Sequence, residues 1–145
     1  MINFLPGINS TAAALNAERI RMEIISQNIA NANNTHGPDG LPYQRQQVVF
    51  QSVLDQEQQA GAAPGAPPQL VQIAAIQKDT SPPQLVYNPG HPDADANGMV
   101  AMPNVNIHEE MADLIASSRS YEANLAVVKN ARMMAQQTLA IGKPV

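Results

Sequence analysis

Cysteine and tryptophan are both missing from this chain, and its aromatic residues are three Tyr and two Phe among 145 residues. Without cysteine there is no disulfide framework, no thiolate metal site and no thiol nucleophile, and either redox compartment is compatible with the sequence. Scarce aromatics, with Gly 8 and Pro 12, leave few large anchors, so the core should be small. Lys and Arg number 8 against 12 Asp and Glu, for a net charge of -4. The cations are scattered, so the footprint of a nucleic-acid binder is missing and nucleic acid is not an expected partner. No window reaches the roughly 18 consecutive apolar residues of a membrane span. Met1 to Ser10 contains no basic residue, and the reading expects no Sec signal, so passage out of the cytoplasm would need another route.

Chemistry-bearing motifs are also missing. There is no Gly-x-Ser-x-Gly elbow, no phosphate-cradling Gly loop and no zinc-protease helix signature, so neither an enzyme nor a cofactor is expected. His36, His91 and His108 sit beside turn or cap residues without a ligand partner at i+4, and read as surface histidines rather than a metal set. Asp93-Ala94-Asp95-Ala96-Asn97-Gly98 reproduces the first half of an EF-hand calcium loop. Its second half departs: Asn104 stands where the bidentate Glu belongs, and Pro103 interrupts the flanking helix, so an Asx-rich turn is the expectation.

What is present is helix at both ends. From Ser10, a good N-cap residue, to about Asn33 there is neither Gly nor Pro. Ile8, Leu15, Met22 and Ile29 recur at intervals of seven, with Ile25 beside them, while Glu18, Arg19, Arg21 and Glu23 take other faces. Asn31, Asn33 and Asn34 suit the end of this helix. The last segment starts at Asn106, an N-cap with Glu109 in capping-box relation, and runs unbroken to Gly142. Its stripe reads Ile107, Met111, Leu114, Ser118, Tyr121, Leu125, Val128, Arg132, Ala135 and Leu139. Glu109, Glu110 and Asp113 complement the positive helix start, and Lys129, Arg132 and Lys143 the negative end.

Between the helices, Val48-Val49-Phe50, Leu70-Val71-Gln72-Ile73 and Leu85-Val86-Tyr87 are short strand-like runs among turn formers. Gln56 to Pro68 reads as a flexible loop, and Pro82 to Pro103 as extended and stiff. The expected fold is α+β: long N- and C-terminal helices packed as a coiled-coil-like pair, with a small β-rich, Pro-rich insert. The corresponding parts are residues 1–34, 35–103 and 104–145.

A C-terminal helix of this length carries more apolar stripe than a mid-region of this size covers. Each fully buried Leu, Ile or Met contributes about 1.5–3 kcal/mol, so several left bare forfeit an amount comparable to a small domain's stability. Neighbouring subunits recover it; the plainer alternative is an intramolecular helical hairpin capping a β-domain. The expected contact residues are Leu15, Met22, Ile25, Asn28, Ile29, Asn31 and Asn33 on the first helix. On the last they are Met111, Leu114, Tyr121, Asn124, Leu125, Val128, Arg132 and Leu139. Asn28, Asn31 and Asn33 either end the first helix or fix register between subunits, since an amide both donates and accepts.

Ser26-Gln27-Asn28-Ile29-Ala30-Asn31-Ala32-Asn33 resembles the N-terminal signature of bacterial flagellar basal-body rod, hook and related axial proteins. Ser117 to Asn124 resembles the matching C-terminal motif. Gly37 to Phe50, Pro82 to Pro92 and Val100 to Asn106 are similar to the proximal-rod protein C type, apart from Met99, where an aromatic residue is common. The resemblance spans nearly the whole chain except the Gln-rich loop. It implies a structural subunit exported through the flagellar type III apparatus and assembled in the periplasm into the hollow proximal rod, a drive shaft enclosing the export channel. It also implies self-association and contact with other proximal-rod subunits, the distal-rod protein, the membrane ring and the export-gate adaptor. A soluble helical adaptor or chaperone-like module of an export system is the competing reading of the same helices.

Overall fold

The computed structural model describes residues 5–37, 39–53 and 70–141, and the side chains from Ser10 onward within them except at both ends of the gap after residue 51 and at Ile141. Two helices flank two antiparallel ribbons: α1 (Leu5–Ala30), β1 (Gln46–Val53), β2 (Leu70–Lys78), β3 (Gln84–Tyr87), β4 (Met99–Met102) and α2 (Ile107–Ile141). The fold is therefore two terminal helices with a small β region between them. The Gln56 to Pro68 loop and Lys143 lie outside the described residues.

α1 begins at Leu5 rather than at the Ser10 cap expected from sequence. Pro6 is no obstacle, because in a first turn its missing N–H has no intrahelical partner and its φ is already helical. At its other end the Asn31 side-chain amide donates to the Gln27 carbonyl at 2.8 Å, satisfying one of the carbonyls a helix end leaves open. α2 starts where Asn106 was expected to cap it: the side-chain oxygen of Asn106 accepts the His108 N–H at 3.1 Å. Acidic residues occupy its first turn, and its last described turn holds no basic residue. Lys129 and Arg132 lie more than two turns further back.

The helices are antiparallel and in constant register. Asn28 bonds Glu110, and ten residues back along α1 Glu18 bonds Ser120, ten residues on along α2. Continuing at that pitch, the first described residue of α1 lies level with about residue 133, so the final turns of α2 run on beyond it.

β1 and β2 pair from Gln46↔Lys78 to Val53↔Leu70, with a bulge at Val49/Phe50. This ribbon lies along α1, and the Arg21 guanidinium stands 5.9 Å from the Phe50 ring centroid. β3 and β4 form a second ribbon from Gln84↔Met102 to Tyr87↔Met99. β4 falls inside the Pro-rich stretch read as extended and stiff, where no strand was expected; its four residues were too few to show alternation. The turn joining the two strands is the Asx turn expected from sequence. The Asp95 carboxylate accepts the N–H groups of Asn97 at 2.8 Å and Met99 at 2.9 Å, and Gly98 adopts φ 76°.

The apolar core is thin. Its buried members among the described residues are Ala17, Ile24, Ile25, Ala32, Val100 and Val105. On α1 the deepest line is thus Ala17, Ile24, Ile25 and Asn28, continued by Ala32 just past the helix, beside the expected Leu15, Met22 and Ile29 stripe, which is half-buried. The reason is that α1 packs on both α2 and the β1–β2 ribbon, and its buried strip centres between them.

Candidate assembly surface

Where helices and β region meet, a polar side chain is buried instead of an apolar one. Asn28 is 1% exposed, and all four hydrogen-bonding positions of its amide are filled. Its Nδ2 donates to the Gln46 carbonyl and to Glu110 Oε2, both at 2.9 Å. Its Oδ1 accepts from Tyr43 Oη and the Gln46 N–H, also at 2.9 Å. Glu110 is 0% exposed, and its second oxygen pairs with Arg45 Nε. Arg45 also reaches Asp113 at 3.8 Å, and its backbone N–H donates to Asn104 Oδ1 at 2.8 Å. Asn104 returns its own amide to the carbonyls of Asp79 and Ser81, at 3.2 and 3.1 Å.

This network ties α1, the strand entering β1, the turn after β2 and the start of α2 into one joint. Burying Glu110 is tolerable because its charge meets a guanidinium and an amide; unpaired, it would cost several kcal/mol. Burial raises the Tyr43 phenol above its ordinary value of 10.0, and the Glu110 charge pushes the same way. The phenol therefore stays protonated and donates to Asn28. Its stabilising share is fully present below pH 10.0 and is lost only as pH rises past that value through the folded one.

The expected contact residues divide into three groups. Ile25 and Asn28 are buried within the chain. Leu15, Met22, Ile29, Asn31, Leu114, Tyr121, Asn124, Leu125 and Val128 are half-buried. Asn33, Met111, Arg132 and Leu139 are exposed, Leu139 at 72%. A strict seven-residue repeat drifts about 20° per heptad on a straight helix. Over the length of α2 this carries Met111 off the side facing α1, while Leu139 lies past the described start of α1.

Residues that the sequence did not single out complete the picture. Tyr43, Arg45, Gln46 and Asn104 form the joint, and Glu110 had been read only as a helix-start charge. The one available signal was Asn28 in the last turn of α1, an amide that both donates and accepts and so needs specific partners if buried. On the outer side of α2, Ala112, Ala116, Ala123, Val127 and Met134 are all exposed, at spacings that place them on one face. Val127 is 55% and Met134 56% exposed. This second apolar stripe, which Arg119 and Asn130 interrupt, lies about a third of a turn round α2 from the line that meets α1, so α2 has a mainly apolar side that no described residue covers.

A long antiparallel helix pair with such an open face has the build of a subunit completed by neighbours. Comparisons with known proteins give this class a family. Residues 8–38 match the family described as flagella basal body rod protein, and residues 96–141 match the flagellar basal body rod FlgEFG protein C-terminal family. The flagellar basal-body rod protein FlgC of Borreliella burgdorferi is 41% identical over 145 residues, covering 92% of this chain and 94% of that one. FlgC of Salmonella typhimurium is 42% identical over 131 residues, with 90% and 92% covered. FlgC of Bacillus subtilis is 37% identical over 147 residues, with 94% and 96% covered. The chain belongs to the FlgC family of flagellar basal-body rod proteins. That is a family of structural rod proteins, not of enzymes.

Proposed function

We propose that the chain is a subunit of the proximal rod, whose terminal helices pack against those of neighbouring subunits to build the wall of a hollow helical shaft. The exposed stripe of Ala112, Ala116, Ala123, Val127 and Met134 carries this reading, because no described residue covers it and a neighbour would. The half-buried seam residues Leu15, Met22, Ile29, Leu114, Tyr121, Leu125 and Val128 hold the two helices together, and exposed Asn33, Met111, Arg132 and Leu139 offer further contacts to neighbours. Ile25 and Asn28 support the pair from inside. In the shaft the helix pair acts as a coiled-coil-like element, residues 1–34 and 104–145 line the channel, and residues 35–103 project outward. Stiff interlocked helices then transmit torque, and the joint at Asn28 and Glu110 carries it to the β region.

The subunit travels through the flagellar type III apparatus and assembles in the periplasm. A thin core and the lack of cysteine suit a chain that passes unfolded through a narrow channel. Its neighbours are the other proximal-rod proteins, the distal-rod protein, the membrane ring and the export-gate adaptor. Deleting the gene in the parent cell and imaging the envelope tests the reading. Basal bodies should lack a complete rod and external filaments, and the wild-type gene should restore both. Complete rods in the deletion strain would end it.

A further inference from the structure

Every sulfur in this chain is a thioether, for it has seven Met and no Cys. The described methionines divide by place. Met22, in α1, and Met99 and Met102, in β4, are half-buried. Met111 (51% exposed), Met133 (53%) and Met134 (56%) stand in the open, and all three belong to α2. Side chains of this size and apolarity are usually inside. Met134 lies on the outer stripe of α2, on the same face as Val127 and two turns beyond it, with Met133 next to it in the chain. Its chemistry sets it apart from the rest of that stripe. Ala112, Ala116, Ala123 and Val127 are inert hydrocarbon, whereas a thioether can be made polar after synthesis and returned to its first state.

We infer that Met134, with Met133 beside it, is an oxidation site that decides whether a free subunit can be assembled. This rests on the rod reading and adds a regulation of the surface that carries it. The oxidant is a hydroperoxide. The sulfur lone pair attacks one peroxide oxygen and the O–O bond breaks; with hydrogen peroxide, hydroxide leaves and takes the proton of the new S–OH group to become water. Sulfur is oxidised by two electrons and the peroxide is reduced by two, which leaves methionine sulfoxide. No thiol in the chain competes for the oxidant. In the free subunit the new S–O group faces water and no internal packing is lost, so the fold is kept. Against a neighbour the same group is buried without a donor, so the contact is weakened. Sulfoxide reductases, drawing on thiols, restore the thioether and with it the apolar stripe. Once a neighbour covers the stripe the sulfur is shielded, so the switch acts before assembly.

The first measurement is on the purified full-length chain treated with hydrogen peroxide. Peptide mass spectrometry should find sulfoxide at Met111, Met133 and Met134 well before Met22, Met99 and Met102, while circular dichroism stays unchanged. The second is a competition inside the deletion strain. Wild type and a Met133→Leu/Met134→Leu chain, apolar there but without sulfur, are expressed together at a peroxide level at which basal bodies still form. Without peroxide the two chains should enter basal bodies equally. With peroxide, once Met134 is mostly sulfoxide in the unassembled pool, the Leu chain should be enriched about tenfold, equivalent to about 1.4 kcal/mol. Met134→Gln, whose amide carbonyl stands where the S–O group would, should be depleted to a similar degree with no oxidant at all.

Oxidation of the half-buried methionines first, loss of the fold on oxidation, an unchanged ratio under peroxide, or full entry of the folded Gln chain would each overturn the inference. Wild-type chain recovered in the basal bodies would leave the rod reading standing in all of those cases; its absence from them would end both.

Discussion

Glu110 is the residue on which most of the internal architecture converges. Removing its carboxylate takes from the Arg45 guanidinium and from one Asn28 N–H their partner at a buried position. Glu110→Ala should therefore destabilise the isolated chain by about 3 kcal/mol, read as a lower urea midpoint with helix content retained at low urea. A midpoint within error of wild type would show the joint to be incidental. Asp95 makes a different, pH-dependent contribution. The N–H groups of Met99 and Asn97 hold its carboxylate below the ordinary value of 3.8. A depressed folded value means the stabilisation is present above pH 3.8 and is lost as pH falls through the folded value. Carbon NMR titration should put the Asp95 midpoint below that of a model peptide; a midpoint at or above it would contradict the Asx turn.

At the scale of elements, the β3–β4 ribbon depends on one backbone position. Gly98 takes φ +76°, and a Cβ there would stand 3.0 Å from Tyr87 Cε2 and 3.1 Å from Pro89 Cβ. Gly98→Ala should cost about 1–2 kcal/mol from the left-handed conformation, with crowding added. The damage should be local, so amide exchange should accelerate in Gln84–Tyr87 and Met99–Met102 before it does in the helices. Equal acceleration in α2 would mean that the ribbon and the helices form a single cooperative unit. α1 and α2 hold each other differently, through a long seam of half-buried side chains, and no one residue there has comparable leverage.

For the whole molecule, the decisive surface is the outer side of α2. Val127→Glu places a charge on an exposed apolar position without touching the α1 seam, so the monomer should keep its unfolding midpoint within about 0.5 kcal/mol. Rod assembly should nevertheless fail, because the same carboxylate would be buried without a partner against a neighbour. The readout is complementation of the deletion strain: swimming lost with wild-type protein levels. Normal swimming would move the neighbour contact elsewhere on the molecule.

Much of this was legible in the chain of residues alone. Both helices, three of the four strands, the Asn106 cap and the Asx turn at Asp95 follow from periodicity and local side-chain chemistry, which act over a few residues and are written in order. The signature around Asn28 also pointed to the family. What only the folded chain decided is which polar residues meet: Asn28, Tyr43, Arg45, Asn104 and Glu110 lie up to 82 residues apart, and no local pattern encodes a hydrogen bond across that distance. The strict heptads likewise named apolar positions without saying which would face α1. That depended on the drift of a straight helix and on a β ribbon sharing α1's buried side, both set by three-dimensional packing.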